Sequence, residues 1–330
     1  MDQLSPTLKV GDVVEVLSAE EILATLDENG ELDNLPFMPE MLRYCGRRLT
    51  VHKVATKLCD TISSTGMRRM RDAVHLAGTR CDGSAHGGCQ TACLLYWKTA
   101  WVRKVDGAPT PEPGRVSPER PLLPILEVNT RKEPGPGGEE RFRCQATELL
   151  RAAPELLPFR NVGQYVADIR VGNAGIWPTL RTIFFGLFNR YQRLSRKFPR
   201  RLRIKDGLAW GFVQPGPHTG PAPTGTTGLQ PGELVRIKSK DEIVATLTTK
   251  GYNRGLGFEE DMARSCGRTA RVVARVERCI DEKTGVMLTM KNPCIALDGV
   301  ICDGVYKSNC PRAFIPFWRE IWLERIDEPS

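Results

Sequence analysis

The chain opens on short apolar stretches that alternate with polar ones, and none of them is long enough for a sizeable helix. Val13, Val14 and Val16 suit a first strand. Ser18, with Glu21 three residues on, makes a capping box that starts a short helix, and Gly30 is placed to end it. LPFMPEM predicts a second, shorter helical turn. RRLTVHKV and MRDAVHLAG are β-branched and partly alternating, which predicts strands, and WVRKV closes the set.

The same pattern then returns. Residues 11–101 reappear as residues 232–322 at a constant offset of 221. Ser239 and Glu242 repeat the capping box, Gly251 repeats Gly30, LGFEEDM repeats the helical turn, and WLERI repeats the closing strand. Self-similarity at a fixed offset is the mark of a duplicated structural unit. The predicted fold class is α+β: two small SH3-like β-barrel repeats, each with a short capped helix, flanking a central mainly helical segment. The strands are too few for an immunoglobulin-type sandwich. Two stretches rich in proline and glycine divide the chain. The expected organisation is barrel repeat 1 over 1–105, a linker over 106–121, a central hairpin and helical segment over 122–213, a linker over 214–231, and barrel repeat 2 over 232–330.

Composition narrows the class. An apolar fraction of 41% and a charged fraction of 26% are ordinary for a soluble globular protein. The beginning, MDQLSPTLKVGDV, has no basic region followed by an apolar run, so no secretory signal is read there. The densest apolar stretch, 183–188, is too short to span a bilayer and is interrupted by Gly186. A cytoplasmic protein is expected, peripheral at most to the inner membrane, with its thiols reduced. The odd number of cysteines, 11, also argues against a closed disulfide framework.

Those thiols carry the candidate chemistry. Four fall at equivalent places in the two copies: Cys45 with Cys266, Cys59 with Cys279 (one residue out), Cys81 with Cys302, and Cys89 with Cys310. Cys81 and Cys89 bracket DGSAHGG, and Cys302 and Cys310 bracket DGVYKSN; glycines in such a loop let two thiolates converge. Four thiolates from separate elements would make the closed tetrahedral site zinc prefers, or hold an iron–sulfur cluster; spacing does not decide between them. Buried core thiols would give the same duplicated pattern. Cys144 and Cys294 have no counterpart and read as core. His75, His86 and Cys93 stand opposite Ala296, Lys307 and Phe314, so copy one holds extra ligand types and could keep an exchangeable position. His75 reads as a hydrogen-bonded core residue, His86 as the better ligand. Asp82 and Asp303 follow the loop cysteines, where an Asp-Gly turn is the simplest account.

RCDGSAHGGC resembles the motif of CDGSH iron–sulfur proteins, but Ala85 is inserted before His86 and no C-x-C pair precedes Cys81. Over nearly its whole length the chain resembles a group of bacterial Cys-rich, internally duplicated proteins associated with polysaccharide and other biosynthetic gene clusters. LPFMPEM, MRDAVHLAG, CDGSAHGGC with YWKTAW, CQATELL, and NPCIALDGVICDG with FWREIWLERI carry that resemblance. It implies a bacterial biosynthetic setting and brings no activity with it.

Charge adds one further feature. The segment 177–205, which opens on Trp177 and ends on Lys205, holds nine Arg or Lys and no acidic residue, against a net charge of +8 for the whole chain. Trp177, Leu180, Phe184, Leu187, Phe188, Tyr191 and Leu194 recur at three- and four-residue steps and make one apolar helical stripe, flanked by Arg181, Arg190, Arg193, Arg196 and Lys197. Pro199 ends or kinks the helix. Three roles fit: docking on a barrel, lying on an anionic membrane surface or against an acidic partner, and, ranked behind these, binding nucleic acid. No dinucleotide fingerprint, phosphate-binding loop, H-E-x-x-H or G-x-S-x-G occurs. The function read from these residues is a metal-binding accessory protein of a biosynthetic pathway, with a metalloenzyme open in repeat one as the alternative.

Overall fold

The computed structural model describes residues 7–110, 126–127, 129–211 and 215–326. Of the expected linkers, 111–121 and Gln214 lie outside the described residues. The fold mixes helix and sheet, with a nearly closed, barrel-like sheet. The chain divides into two compact units. The first comprises Met1–Thr179, Arg278–Leu288 and Asn309–Arg312; the second comprises Leu180–Glu277, Thr289–Ser308 and Ala313–Ser330.

In the first unit five antiparallel strands run in the order Trp97–Lys98, Ala73–Leu76, Arg48–Val54, Val13–Val16, Val102–Lys104. Val14 pairs with Leu49 and Val16 with Val102, which turns Val14 and Val16 into the core. The helix Ala19–Leu23 starts as expected: Glu21 N–H donates to Ser18 Oγ at 3.2 Å, and Ser18 N–H donates to the Glu21 carboxylate at 2.9 Å. It ends sooner than the sequence implies, at Ala24. Gly30, at φ +69°, instead turns the chain before the short strand Glu31–Leu32. Phe37 meets Trp97 and Trp101 edge-on at 6.2 and 5.3 Å, and both indole N–H groups find threonine hydroxyls, Thr79 and Thr25.

The second unit holds a sheet of the same order: Phe317–Trp318, Met287–Leu297, Thr269–Ile280, Leu234–Ile237, Leu323–Arg325. Its pairs, Val235 with Ala270 and Ile237 with Leu323, stand at the 221 offset from those of the first. Phe258 lies against Trp318 and Trp322, and the Trp322 indole N–H donates to Thr246 at 2.8 Å. The stretch 215–231, a linker by composition, is strapped along this unit. Gly216 N–H donates to Thr248 O at 3.0 Å, and Thr227 and Gly228 N–H donate to the Glu320 carboxylate at 2.6 and 2.9 Å. A Cβ on Gly216 would lie 2.1 Å from Leu247 O, so only glycine permits this approach.

Between Lys57–Cys59 and Met67–Arg69 the first unit makes a turn organised by Asp60. Its carboxylate accepts from Ile62 and Ser63 N–H, Thr65 Oγ1 and Arg68 Nε, at 3.0, 2.7, 2.5 and 2.9 Å. Burial alone would raise this carboxyl; the hydrogen bonds and Arg68 overcome it and hold it well below the usual carboxylate range. A depressed folded pKa contributes stability above the unfolded value, about 3.9, that is lost as pH falls through that range. Asp60→Asn is expected to cost about 1–3 kcal/mol at neutral pH and to shrink the acid-side loss of stability, measured by urea denaturation between neutral and acid pH.

Candidate metal centre

Two local structures build the site, both in the first unit. Pro39–Tyr44 is a single 3-10 turn with Pro39 at its start, where a missing N–H costs nothing, and it carries Glu40 inward. The loop from Cys81 to Cys89 folds over Gly83, whose carbonyl accepts from His86 and Gly88 N–H at 3.1 and 2.9 Å. Gly83 has φ +71°, and a Cβ there would stand 2.0 Å from Cys89 O, so the loop closes only around glycine. Asp82 accepts from Ser84 N–H at 3.0 Å, the turn expected of Asp-Gly. Arg43 ties the two structures together, donating to Asp82 Oδ2 at 2.7 Å and to Arg80 O at 3.1 Å.

The result is one buried cluster. Cys81 Sγ lies 3.2 Å from His86 Nε2, and Glu40 Oε1 lies 3.9 Å from His86 Nδ1. One ligand atom from each of Glu40, Cys81 and His86 falls within 4.8 Å of the other two. Nδ1 of His86 is buried with no hydrogen-bond partner, and the buried Glu40 carboxylate meets only the Cys81 thiol and its own backbone, a costly arrangement for polar atoms. Burial pushes the Glu40 carboxyl up to about 7, the Cys81 thiol well above its ordinary value, and the His86 imidazole down to about 4. A cation held among them would favour the ligating form of all three groups. Carboxylate, thiolate and imidazole together are a zinc donor set.

The second copy keeps part of this. Asp261 and Cys302 stand at the positions of Glu40 and Cys81 and make the same carboxyl–thiol contact. Burial and the neighbouring Asp303 raise the Asp261 carboxyl. Arg264 pairs with Asp303 as Arg43 does with Asp82. The third position holds Lys307, exposed and without ligand capacity while protonated.

The remaining expected ligands go elsewhere, and among the described residues no group of four thiols converges. Cys45 and Cys266 are half-buried against the two cores. Cys59 of the first copy lies beside Cys310 of the second, its N–H donating to Cys310 Sγ at 3.2 Å. Cys89 packs with Cys279, Phe142 and Met287, and its sulfur accepts from Ile280 N–H at 3.4 Å. Each loop cysteine thus neighbours the hairpin cysteine of the other copy, and all four belong to the first unit. Cys93 is half-buried, its thiol pushed up by desolvation. His75 is a core histidine, with Nδ1 2.9 Å from Leu95 O.

Sequence reasoning found Cys81 and His86 and missed Glu40. A signal was there: Glu40 is the one acidic residue of the apolar stretch LPFMPEM, and Asp261 keeps an acid at the same register. Comparison with protein-family models, with curated proteins and with solved structures found no match to this chain.

Proposed function

We propose that the chain is a metal-holding scaffold protein that binds one ion, zinc by its donor chemistry, at Glu40, Cys81 and His86. The observation that carries this reading is the convergence of a buried carboxylate, a thiol and an imidazole, with Nδ1 of the imidazole unpartnered. An iron–sulfur cluster fits less well, since only one of the three donors is a thiol. We read the two matching sheets as duplicated SH3-like barrels, of which the first keeps the ligands and the second replaces His86 by Lys307. Side chains of Glu40 and His86 only 1% exposed favour holding an ion over turning over a substrate. The family resemblance supports an accessory role in a bacterial biosynthetic pathway.

Elemental analysis of the purified chain, with cobalt as a coloured stand-in for zinc, tests the site. One bound ion per chain is expected, lost in Cys81→Ser and in His86→Ala and retained in Cys59→Ser and Cys89→Ser. No bound metal in the parent protein, or loss of metal in Cys59→Ser alone, would overturn the assignment.

A further inference from the structure

The central helix, Ile176–Ser195, is held by its polar side. In the second unit Thr182 Oγ1 donates to Val305 O at 2.8 Å, and Asn189 Nδ2 donates to Trp210 O at 2.9 Å. Gln192 Nε2 reaches the carbonyls of Ile204 and Leu208 at 2.7 and 2.9 Å. Phe185 is buried, stacked between Tyr306 at 4.9 Å and Trp210 at 5.3 Å. Most of the apolar stripe faces the other way, while Phe188 turns onto Trp210 at 5.4 Å. Leu180, Phe184, Leu187, Tyr191 and Leu194 are 41–59% exposed, and Phe198 just past the helix is 45% exposed. Docking of the stripe on a barrel, one of the roles open from sequence, is therefore not what this helix does: its hydroxyl and amide side chains take the inner face because they satisfy loop carbonyls there.

An isolated exposed leucine means little, but five large apolar side chains along one helix face mark an interaction surface. Charge says what covers it. The segment 177–205 holds nine basic residues and no acidic one. At about 100° per residue, Arg181 and Arg190 fall on opposite flanks of the stripe, and both are exposed. Apolar side chains bordered by guanidinium groups match a layer whose surface is anionic and whose interior is hydrocarbon. A second copy of this chain would bring two such basic segments together. The aliphatic Leu180, Leu187 and Leu194 offer no face for stacking bases. Among the described residues no helix is long and apolar enough to cross a membrane.

We propose that this face docks on an anionic lipid surface, with Leu180, Phe184, Leu187 and Leu194 entering the headgroup boundary and the flanking arginines meeting lipid phosphates. The full chain is mixed with vesicles of phosphatidylcholine plus phosphatidylglycerol, or of phosphatidylcholine alone, and floated on a density gradient at low salt. Flotation with the anionic vesicles is expected, with at least about tenfold weaker recovery on the neutral ones. The variant carrying Leu180→Ser, Phe184→Ser, Leu187→Ser and Leu194→Ser should lose at least about tenfold in recovery. Its melting temperature should fall only slightly, from the lower helix propensity of serine and the lost Phe184 ring contacts, since these side chains are half or more exposed. The proposal is overturned by absence of flotation, by equal recovery on both vesicles, or by undiminished recovery of the variant. A dimer that the variant dissociates, or single-stranded oligonucleotide binding that it retains, would overturn it too where flotation is absent.

Discussion

Lys57→Ala is expected to destabilise the first unit by about 3–5 kcal/mol, read as a lower urea midpoint. Lys57 Nζ donates to Asp168 Oδ2 at 2.6 Å with both side chains fully buried, and the ammonium also lies 5.1 Å from the Tyr165 ring centre. Desolvation is the largest influence on each partner: it pulls the Lys57 pKa below its ordinary value and pushes that of Asp168 up, each partly offset by the other. Two ions out of water gain little over an apolar pair of similar size, but one ion left alone is costly. The variant joining Lys57→Met to Asp168→Leu should therefore recover most of the loss. A single substitution costing under about 1 kcal/mol would mean that the pair is hydrated in solution.

The second large effect has opposite signs with and without metal. Glu40→Leu should stabilise the chelator-treated protein by about 1–3 kcal/mol, because a buried carboxyl whose desolvation outweighs its few contacts gives way to an apolar side chain of similar size. Zinc affinity should fall by more than about 100-fold, since even the loss of a residue that merely orients a ligand costs about 10–100-fold. Thermal melts with chelator and with zinc would show the variant melting higher in the first condition and lower in the second. Lower melting in both would give Glu40 a purely structural role and remove it from the ligand set.

Much of the fold was legible because its determinants are local. The Ser18–Glu21 and Ser239–Glu242 capping boxes, the alternating strands and the paired tryptophans each depend on residues a few positions apart. The site was legible by half. Cys81 and His86 sit in one glycine-rich loop, whereas Glu40 joins them across some forty residues and resembles a surface acid in a short turn. The four-thiol site expected within a copy does not form among the described residues, for a related reason. Sequence repeats display themselves as a shift along the chain, which invites Cys59 to be matched with Cys89, yet contact sets Cys59 beside Cys310 and Cys89 beside Cys279. The central helix shows a third limit. Periodicity revealed the stripe of Leu180, Phe184 and Leu187, but only the partners of Thr182, Asn189 and Gln192 decide which side faces inward.

The first unit borrows Arg278–Leu288 and Asn309–Arg312 from late in the chain. Arg312 from that late segment is buried against Cys59 O and Thr61 at 3.2 and 2.9 Å and pairs with Glu282. During synthesis this unit cannot close as its own residues leave the ribosome. The Cys59 turn lacks its neighbours until residue 312 has emerged. A chain stalled or cleaved before residue 309 would expose that unfinished seam to proteases and chaperones, so completion of the first unit also reports that translation has passed residue 312.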